Sequence, residues 1–237
     1  LEQYIKELGL RYVRWDQNNN LMPYWDSHDR RDRRGISQIR HLEGIHRVED
    51  WLRQHYPDVI LESCAGGGQR IDLPTLQRRH TIWISDQTMD PHIVRFHLEG
   101  LNHFIPGNYQ MVAFAPPTVT YQKPGFVFPD IAYQSHFAGS FGLAGRLHEW
   151  PQVMKDQARK HFGIYKKVRR FLSEDFYLLT PQPRDLQQWE AWQFHRAEAD
   201  EGFVQVFRIR SPEPSKNIVL KALNPRATYR FRDVYTG

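Results

Sequence analysis

A single cysteine, Cys64, stands among the 237 residues, so an intrachain disulfide framework is excluded and the fold must be held by its core. A reducing compartment fits that count and tilts the expectation toward the cytoplasm, although a lone thiol also survives in secreted enzymes. No apolar run approaches the roughly 20 residues that a membrane helix needs, and a membrane partner is not expected. Nor is there a block of uniform positive charge behind the net charge of +5. The densest basic run, Arg30, Arg31, Arg33 and Arg34, is interrupted by Asp29 and Asp32 and ends at Gly35. It reads as a solvated loop with internal pairing, so nucleic acid is not an expected partner. An initiator Met is missing too. Leu1 to Leu10 reads as an amphipathic helix rather than a signal peptide, and further sequence, with any targeting signal, is expected ahead of Leu1.

What remains is the composition of a folded protein. With 40% hydrophobic and 25% charged residues, the chain can build one large domain or two small ones. Its 14% aromatic content suits a thick core or a sugar site, where flat rings meet the apolar faces of pyranoses.

From residue 1 to about 172, β-rich runs alternate with helical patterns, which predicts a βα-repeating fold with a parallel sheet. The expected strands are Arg11 to Asp16, Val59 to Ser63, Thr81 to Ser85, Met111 to Ala115 and Ser140 to Leu143. Between them run three apolar stripes at helical spacing. Ile36, Ile39, Leu42, Ile45, Leu52 and Tyr56 form the first, Val94, Leu98, Leu101 and Ile105 the second, and Met154, Ala158, Phe162, Tyr165, Val168 and Leu172 the third. After Ser173 the pattern changes to closely spaced strands at Phe176 to Thr180, Trp189 to Arg196, Phe203 to Arg210, Ile218 to Leu223 and Tyr229 to Tyr235, which predicts a small antiparallel β domain over 173–237. Five parallel strands do not close a barrel of eight. The first domain, 1–172, is therefore either an open α/β sheet or the later part of a barrel that begins on earlier sequence.

Three strand ends carry the chemistry. Asp16 closes the first strand in RYVRWDQNNN, Cys64 and a triple glycine follow the second in ESCAGGGQRID, and Asp86 follows the third in TIWISDQTMD. A parallel array brings all three to one carboxyl edge, where barrels and open sheets place their sites. Two carboxyl groups across a pocket are what glycoside hydrolysis needs: in a retaining enzyme one attacks the anomeric carbon while the other protonates the departing oxygen. The plainer alternative is that each Asp caps the helix that follows it.

Other motifs point away from cofactors. Gly66, Gly67 and Gly68 fit neither phosphate-loop pattern, and glycines there let backbone approach a ligand or take positive φ. His92, His97 and His103 do not share a helical face as metal ligands would, and they are expected to be structural or exposed. Inside a glycine turn, Cys64 suits a sugar-contacting or packing role better than a Cys-His nucleophile. Neither metal nor organic cofactor is expected.

At these motifs the sequence resembles glycoside hydrolase family 36, the melibiase-type α-galactosidases. Arg14, Trp15, Asp16, Gln17 and Asn18 resemble the family's K-W-D-M-N. Glu62, Cys64, Gly66, Gly67, Gly68, Arg70 and Asp72 meet C-x-G-G-G-x-R-x-D after an acidic residue, and Trp83, Ser85, Asp86, Gln87 and Thr88 meet W-x-S-D-x-T-D. Tyr165, Lys166 and Arg169 resemble the family's Y-K-x-x-R, and Leu220 to Tyr229 resembles a turn and strand of its last domain. The resemblance spans nearly the whole chain. It implies the later strands of a (β/α)8 TIM-type barrel, from the nucleophile strand onward, followed by an antiparallel β-sandwich.

It also implies Asp16 as nucleophile, Asp86 as general acid/base, and Arg14, Trp15, Asn18, Cys64, Gly67 and Arg70 as the sugar-binding wall. The substrate implied is a terminal α-galactoside. Transfer of galactose between sugars, another α-linked sugar, or carbohydrate binding without turnover remain as alternatives. Association into dimers or tetramers is implied by the family alone. The chain departs from the pattern where Arg14 stands for Lys and where Met89 takes the place of a second Asp, with Asp90 one residue later. The segment from Ile105 to Pro117 matches only loosely.

Overall fold

The computed structural model describes residues 1–115, 127–183 and 185–237; Pro116 and Pro117, at the end of the loosely matching segment, lie outside them. The chain divides into two compact units, Leu1–Asp86 and Gln87–Gly237. This division falls inside the expected βα array.

The first unit runs α1 (Glu2–Leu8), β1 (Tyr12–Asp16), α2 (Met22–His28), α3 (Ile36–His55), β2 (Ile60–Cys64), α4 (Leu73–Leu76) and β3 (Thr81–Trp83). Helix α1 stops because Gly9 takes the left-handed conformation at φ 63, which a residue without Cβ adopts freely. The strands lie in the order β1-β2-β3, all parallel, with Tyr12 opposite Ile60 and Asp16 opposite Cys64. Side chains alternate across a strand, so Val13 and Trp15 point to one face and Tyr12, Arg14 and Asp16 to the other. The first face is apolar: Ile5, Leu52, Val59 and Leu61 form a buried cluster against which Leu10, Val13, Trp15 and Tyr56 pack. Removing such side chains from water stabilises the unit by about 1.5–3 kcal/mol each. The predicted α3 stripe is covered unevenly, since Leu52 is buried while Ile39 stays exposed.

The second unit begins with α5 (Pro91–Leu101) and continues through β4 (Gln110–Phe114), α6 (Asp130–Gln134), β5 (Ser140–Leu143) and α7 (Gln152–Val168) to β6 (Asp175–Leu178), β7 (Gln188–Arg196) and β8 (Glu201–Ile209). β4 and β5 pair in parallel, while β6, β7 and β8 form an antiparallel sheet in chain order. The predicted stripes are buried here: Val94 and Leu98 on α5, and Met154, Ala158, Tyr165 and Val168 on α7. Tyr165 donates its hydroxyl to Gly139 O at 2.9 Å and accepts from Phe141 N at 3.0 Å, so its polar tip is satisfied inside the core.

Two expected strands are absent among the described residues. The stretches Ile218 to Leu223 and Tyr229 to Tyr235 are irregular. The Gln193 side chain explains the first: its amide donates to Lys221 O at 2.8 Å and accepts from Lys221 N at 2.9 Å, taking the backbone groups a ladder would use. At the second, the Tyr229 hydroxyl donates to the Asp200 carboxylate at 2.6 Å. A cavity of about 990 Å³ lies between this irregular tail and β8.

Candidate active site

β1, β2 and β3 end on Asp16, Cys64 and Trp83. Because the three strands are parallel, these residues share one edge. The expected third strand stops two residues early, and the glycine turn accounts for it. A Cβ on Gly68 would collide with Ile84 O, and one on Gly67 would lie 3.0 Å from Asp86 N and 3.1 Å from Ser85 Cα. The turn's backbone therefore presses on Ile84 to Asp86 where a ladder would continue. Gly67, at φ 81, occupies a conformation that side chains other than glycine adopt only with strain.

Neither aspartate caps a helix. The N-cap of α2 is Leu21, and that of α5 is Asp90, whose carboxylate accepts from His92 N at 2.8 Å and Ile93 N at 3.1 Å. The Asp one residue late in the third motif thus performs the capping that was open to Asp86.

Arg14 links the surroundings of the two carboxylates. Its Nη2 donates to Cys64 Sγ at 3.3 Å, its Nε lies 3.6 Å from Glu62 Oε1, and its guanidinium sits 4.3 Å from the Trp83 ring centroid. Trp83 in turn donates its indole N–H to Asp86 Oδ1 at 2.8 Å. On the other side, Asp16 stands opposite Cys64 in the pairing of β1 with β2 and acts electrostatically on Arg14. Asp16 and Asp86 therefore both border one Arg14, Cys64 and Trp83 group, although they stand 70 positions apart in the sequence. Burial pushes the Cys64 thiol up, with Arg14 opposing and the neighbouring Asp16 adding to it. For Arg14, burial works against the charge, but Cys64, Glu62 and Asp16 outweigh it and raise its affinity for the proton.

The remaining expected residues divide. Asn18 is at the turn, where its Oδ1 accepts from Gly66 N at 2.5 Å. Trp15 is not with Arg14 and Asp16. Alternation places it on the helix-covered face, beside the apolar cluster and 5.2 Å beneath the Arg79 guanidinium. Arg70 is half-buried, which depresses its proton affinity, and the charges acting on it are Asp72, Arg79 and Glu49. Three residues with no assigned role, Tyr12, Glu62 and Trp83, belong to the polar group. The Tyr12 hydroxyl donates to Glu62 Oε2 at 2.5 Å, and burial together with this carboxylate raises the phenol's pKa. The period-two spacing of Tyr12, Arg14 and Asp16, and of Ile60, Glu62 and Cys64, was the signal that could have found the first two.

The class these features define is a parallel βα array with carboxylates, a guanidinium and a glycine turn at the carboxyl edge of its sheet. The Melibiase family model matches residues 1–175, and the chain belongs to that family. Among curated relatives, α-galactosidase Mel36A of Lactobacillus acidophilus is 33% identical over 233 residues, covering 97% of this chain and 31% of that protein. Among solved structures, the family 36 α-galactosidase AgaB of Geobacillus stearothermophilus superposes with a TM-score of 0.80 at 26% identity, over 94% of this chain and 31% of the other. A variant of AgaA from the same organism, solved in complex with raffinose, gives 0.75 at 26% identity over 90% of this chain and 30% of that one. The chain spans about a third of the length of the first curated relatives it matches.

Proposed function

We propose that the chain supplies the catalytic carboxylates of a retaining α-galactosidase, as the later strands of a (β/α)8 barrel followed from about residue 173 by a β domain. The supporting observation is that Asp16 and Asp86 border the same Arg14, Cys64 and Trp83 group at the carboxyl edge of β1, β2 and β3. The relatives' names as α-galactosidases and the raffinose bound to one of them favour a terminal α-galactosyl substrate.

In the first step Asp16 attacks the anomeric carbon as the glycosidic bond breaks, and the departing oxygen takes the Asp86 proton. A covalent galactosyl ester on Asp16 results. In the second step Asp86 removes a proton from water, whose oxygen attacks the same carbon and releases Asp16. Arg14, Asn18 and Cys64, all at this edge, are proposed to meet sugar hydroxyls. Trp15 belongs to the packing on the other face of β1, while Arg70 stays among the residues proposed to meet the sugar.

The test is turnover of p-nitrophenyl α-galactoside by the natural polypeptide that carries this chain. Asp16→Ala is expected to abolish it. Asp86→Ala is expected to lower turnover of a galactoside with a poor leaving group by roughly 100-fold or more. Near-normal activity in Asp16→Ala would sink the mechanism. Product analysis separates hydrolysis from transfer to a second sugar, and binding of galactose without turnover would point to a carbohydrate-binding protein instead.

A further inference from the structure

A carboxyl group has two oxygens that are equivalent until the surroundings distinguish them, and its terminal torsion is broad and roughly two-fold. At Asp86 they are distinguished. Oδ1 receives the Trp83 indole N–H at 2.8 Å, and an indole nitrogen only donates. In a neutral carboxyl the carbonyl oxygen is a better acceptor than the hydroxyl oxygen, so the indole N–H on Oδ1 favours the proton on Oδ2. Trp83 is itself held. It is the last residue of β3, and the Arg14 guanidinium lies 4.3 Å from its ring centroid. A cation over the ring draws electron density from the indole, which fixes the ring's tilt and makes its N–H a better donor. The backbone beneath is fixed as well, because Gly67 packs against Ser85 and Asp86 N.

We infer that Trp83 is a positioning residue for the acid/base: clamped by Arg14, it keeps Asp86 Oδ1 as the standing acceptor and commits Oδ2 to carrying the proton delivered to the leaving oxygen. This rests on the reading of Asp86 as acid/base. Trp83 touches no reacting atom. Its effect is on which oxygen faces the glycosidic bond and on how narrowly that oxygen is aimed.

The experiment compares two substrates in the natural polypeptide, methyl α-galactoside and dinitrophenyl α-galactoside. Departure of the methoxide depends on proton donation, whereas the activated phenolate departs without it. Trp83→Phe removes the N–H and retains a ring face for Arg14. Its loss of kcat/KM on the methyl glycoside is expected to exceed its loss on the dinitrophenyl glycoside by about tenfold or more. The ratio cancels any misfolded fraction, which would reduce both rates equally. Trp83→His, which keeps a ring N–H, should recover part of the ratio. Equal losses on the two substrates overturn the inference. Asp86→Ala, assayed on the same pair, separates the two levels of the argument. If it discriminates by leaving group and Trp83→Phe does not, the positioning role falls alone; if it does not discriminate, the acid/base reading falls and takes the positioning role with it.

Discussion

Arg95 on α5 donates its Nε–H to Glu190 Oε2 on β7, and the pair is buried, with the Glu190 side chain fully so. The guanidinium also donates to Ser135 Oγ at 2.7 Å and lies 5.1 Å from the Phe207 ring. Within the second unit this cluster fastens a helix of the parallel part to the antiparallel sheet. A buried pair adds little net stability, yet losing one partner strands the other as an unpaired charge. Arg95→Met is expected to destabilise the protein by about 3–5 kcal/mol, read as a lowered urea midpoint. The double variant Arg95→Met/Glu190→Met should recover much of that loss. A double variant no more stable than Arg95→Met would contradict the account.

Glu99, one turn further along α5, is 1% exposed, and neither carboxyl oxygen has a hydrogen-bond partner. Burial, reinforced by Glu190 and opposed by Arg95, pushes its pKa up from 4.5 to about 8. The direction for stability follows from proton counting. Between about pH 4.5 and 8 the folded state holds a proton that the unfolded state has released, so raising the pH favours unfolding. The stabilisation is complete below the lower value and lost on passing the upper one, with a slope of up to about 1.4 kcal/mol per pH unit between them. Urea midpoints measured across this range should fall for the natural sequence. They should fall less for Glu99→Gln, which stays neutral throughout; parallel curves for the two would refute the assignment.

The βα alternation, the parallel strands within each unit and the helical stripes of α5 and α7 were legible in sequence because burial on one face leaves a period of two or of 3.6. The last two expected strands were not, since the partner that occupies Lys221 is a side chain, Gln193, and nothing in the local pattern announces that. At the site, the motif spacing pointed to Asp16, Cys64 and Asp86; Arg14 touches Cys64 directly and reaches Asp86 only by way of Trp83. Trp15 stands on the other face of β1 from Arg14 and Asp16, since a motif records adjacency in sequence, whereas a pleated strand sends neighbours to opposite faces. Trp83 carried no assigned role: its bond to Asp86 depends on where the strand ends, and that is set by the glycine turn on the neighbouring strand's loop.

Gly67 offers a direct test of that turn. Its φ is 81, and a Cβ added there would stand 3.0 Å from Asp86 N and 3.1 Å from Ser85 Cα, so Gly67→Ala combines backbone strain with displacement of the Asp86 backbone. The expected cost is about 1–3 kcal/mol, together with a clear loss of turnover. Gly9→Ala is the comparison, since Gly9 has φ 63 but nothing within 4 Å of its added Cβ. It should lose about 1 kcal/mol of stability and keep its activity. Equal activities in the two variants would remove the turn from the site.

Arg14 is where the chain departs from the Lys of the motif it resembles, and its contacts predict that the exchange is not conservative. One side chain reaches Cys64 Sγ at 3.3 Å, Glu62 Oε1 at 3.6 Å and the Trp83 ring at 4.3 Å. A planar fork can donate in one direction and stack in another, whereas an ammonium concentrates its charge at one point. Lys at this position keeps the cation between Asp16 and Glu62 but cannot hold the Cys64 bond and the flat contact on Trp83 together. Arg14→Lys is expected to lower kcat/KM for α-galactosides by roughly 5- to 30-fold, the equivalent of one or two hydrogen bonds. Arg14→Met, which also removes the charge, should lower it further. Parity between Arg14→Lys and the natural sequence would mean that charge alone matters here, and that the stacking on Trp83 contributes nothing to the reaction.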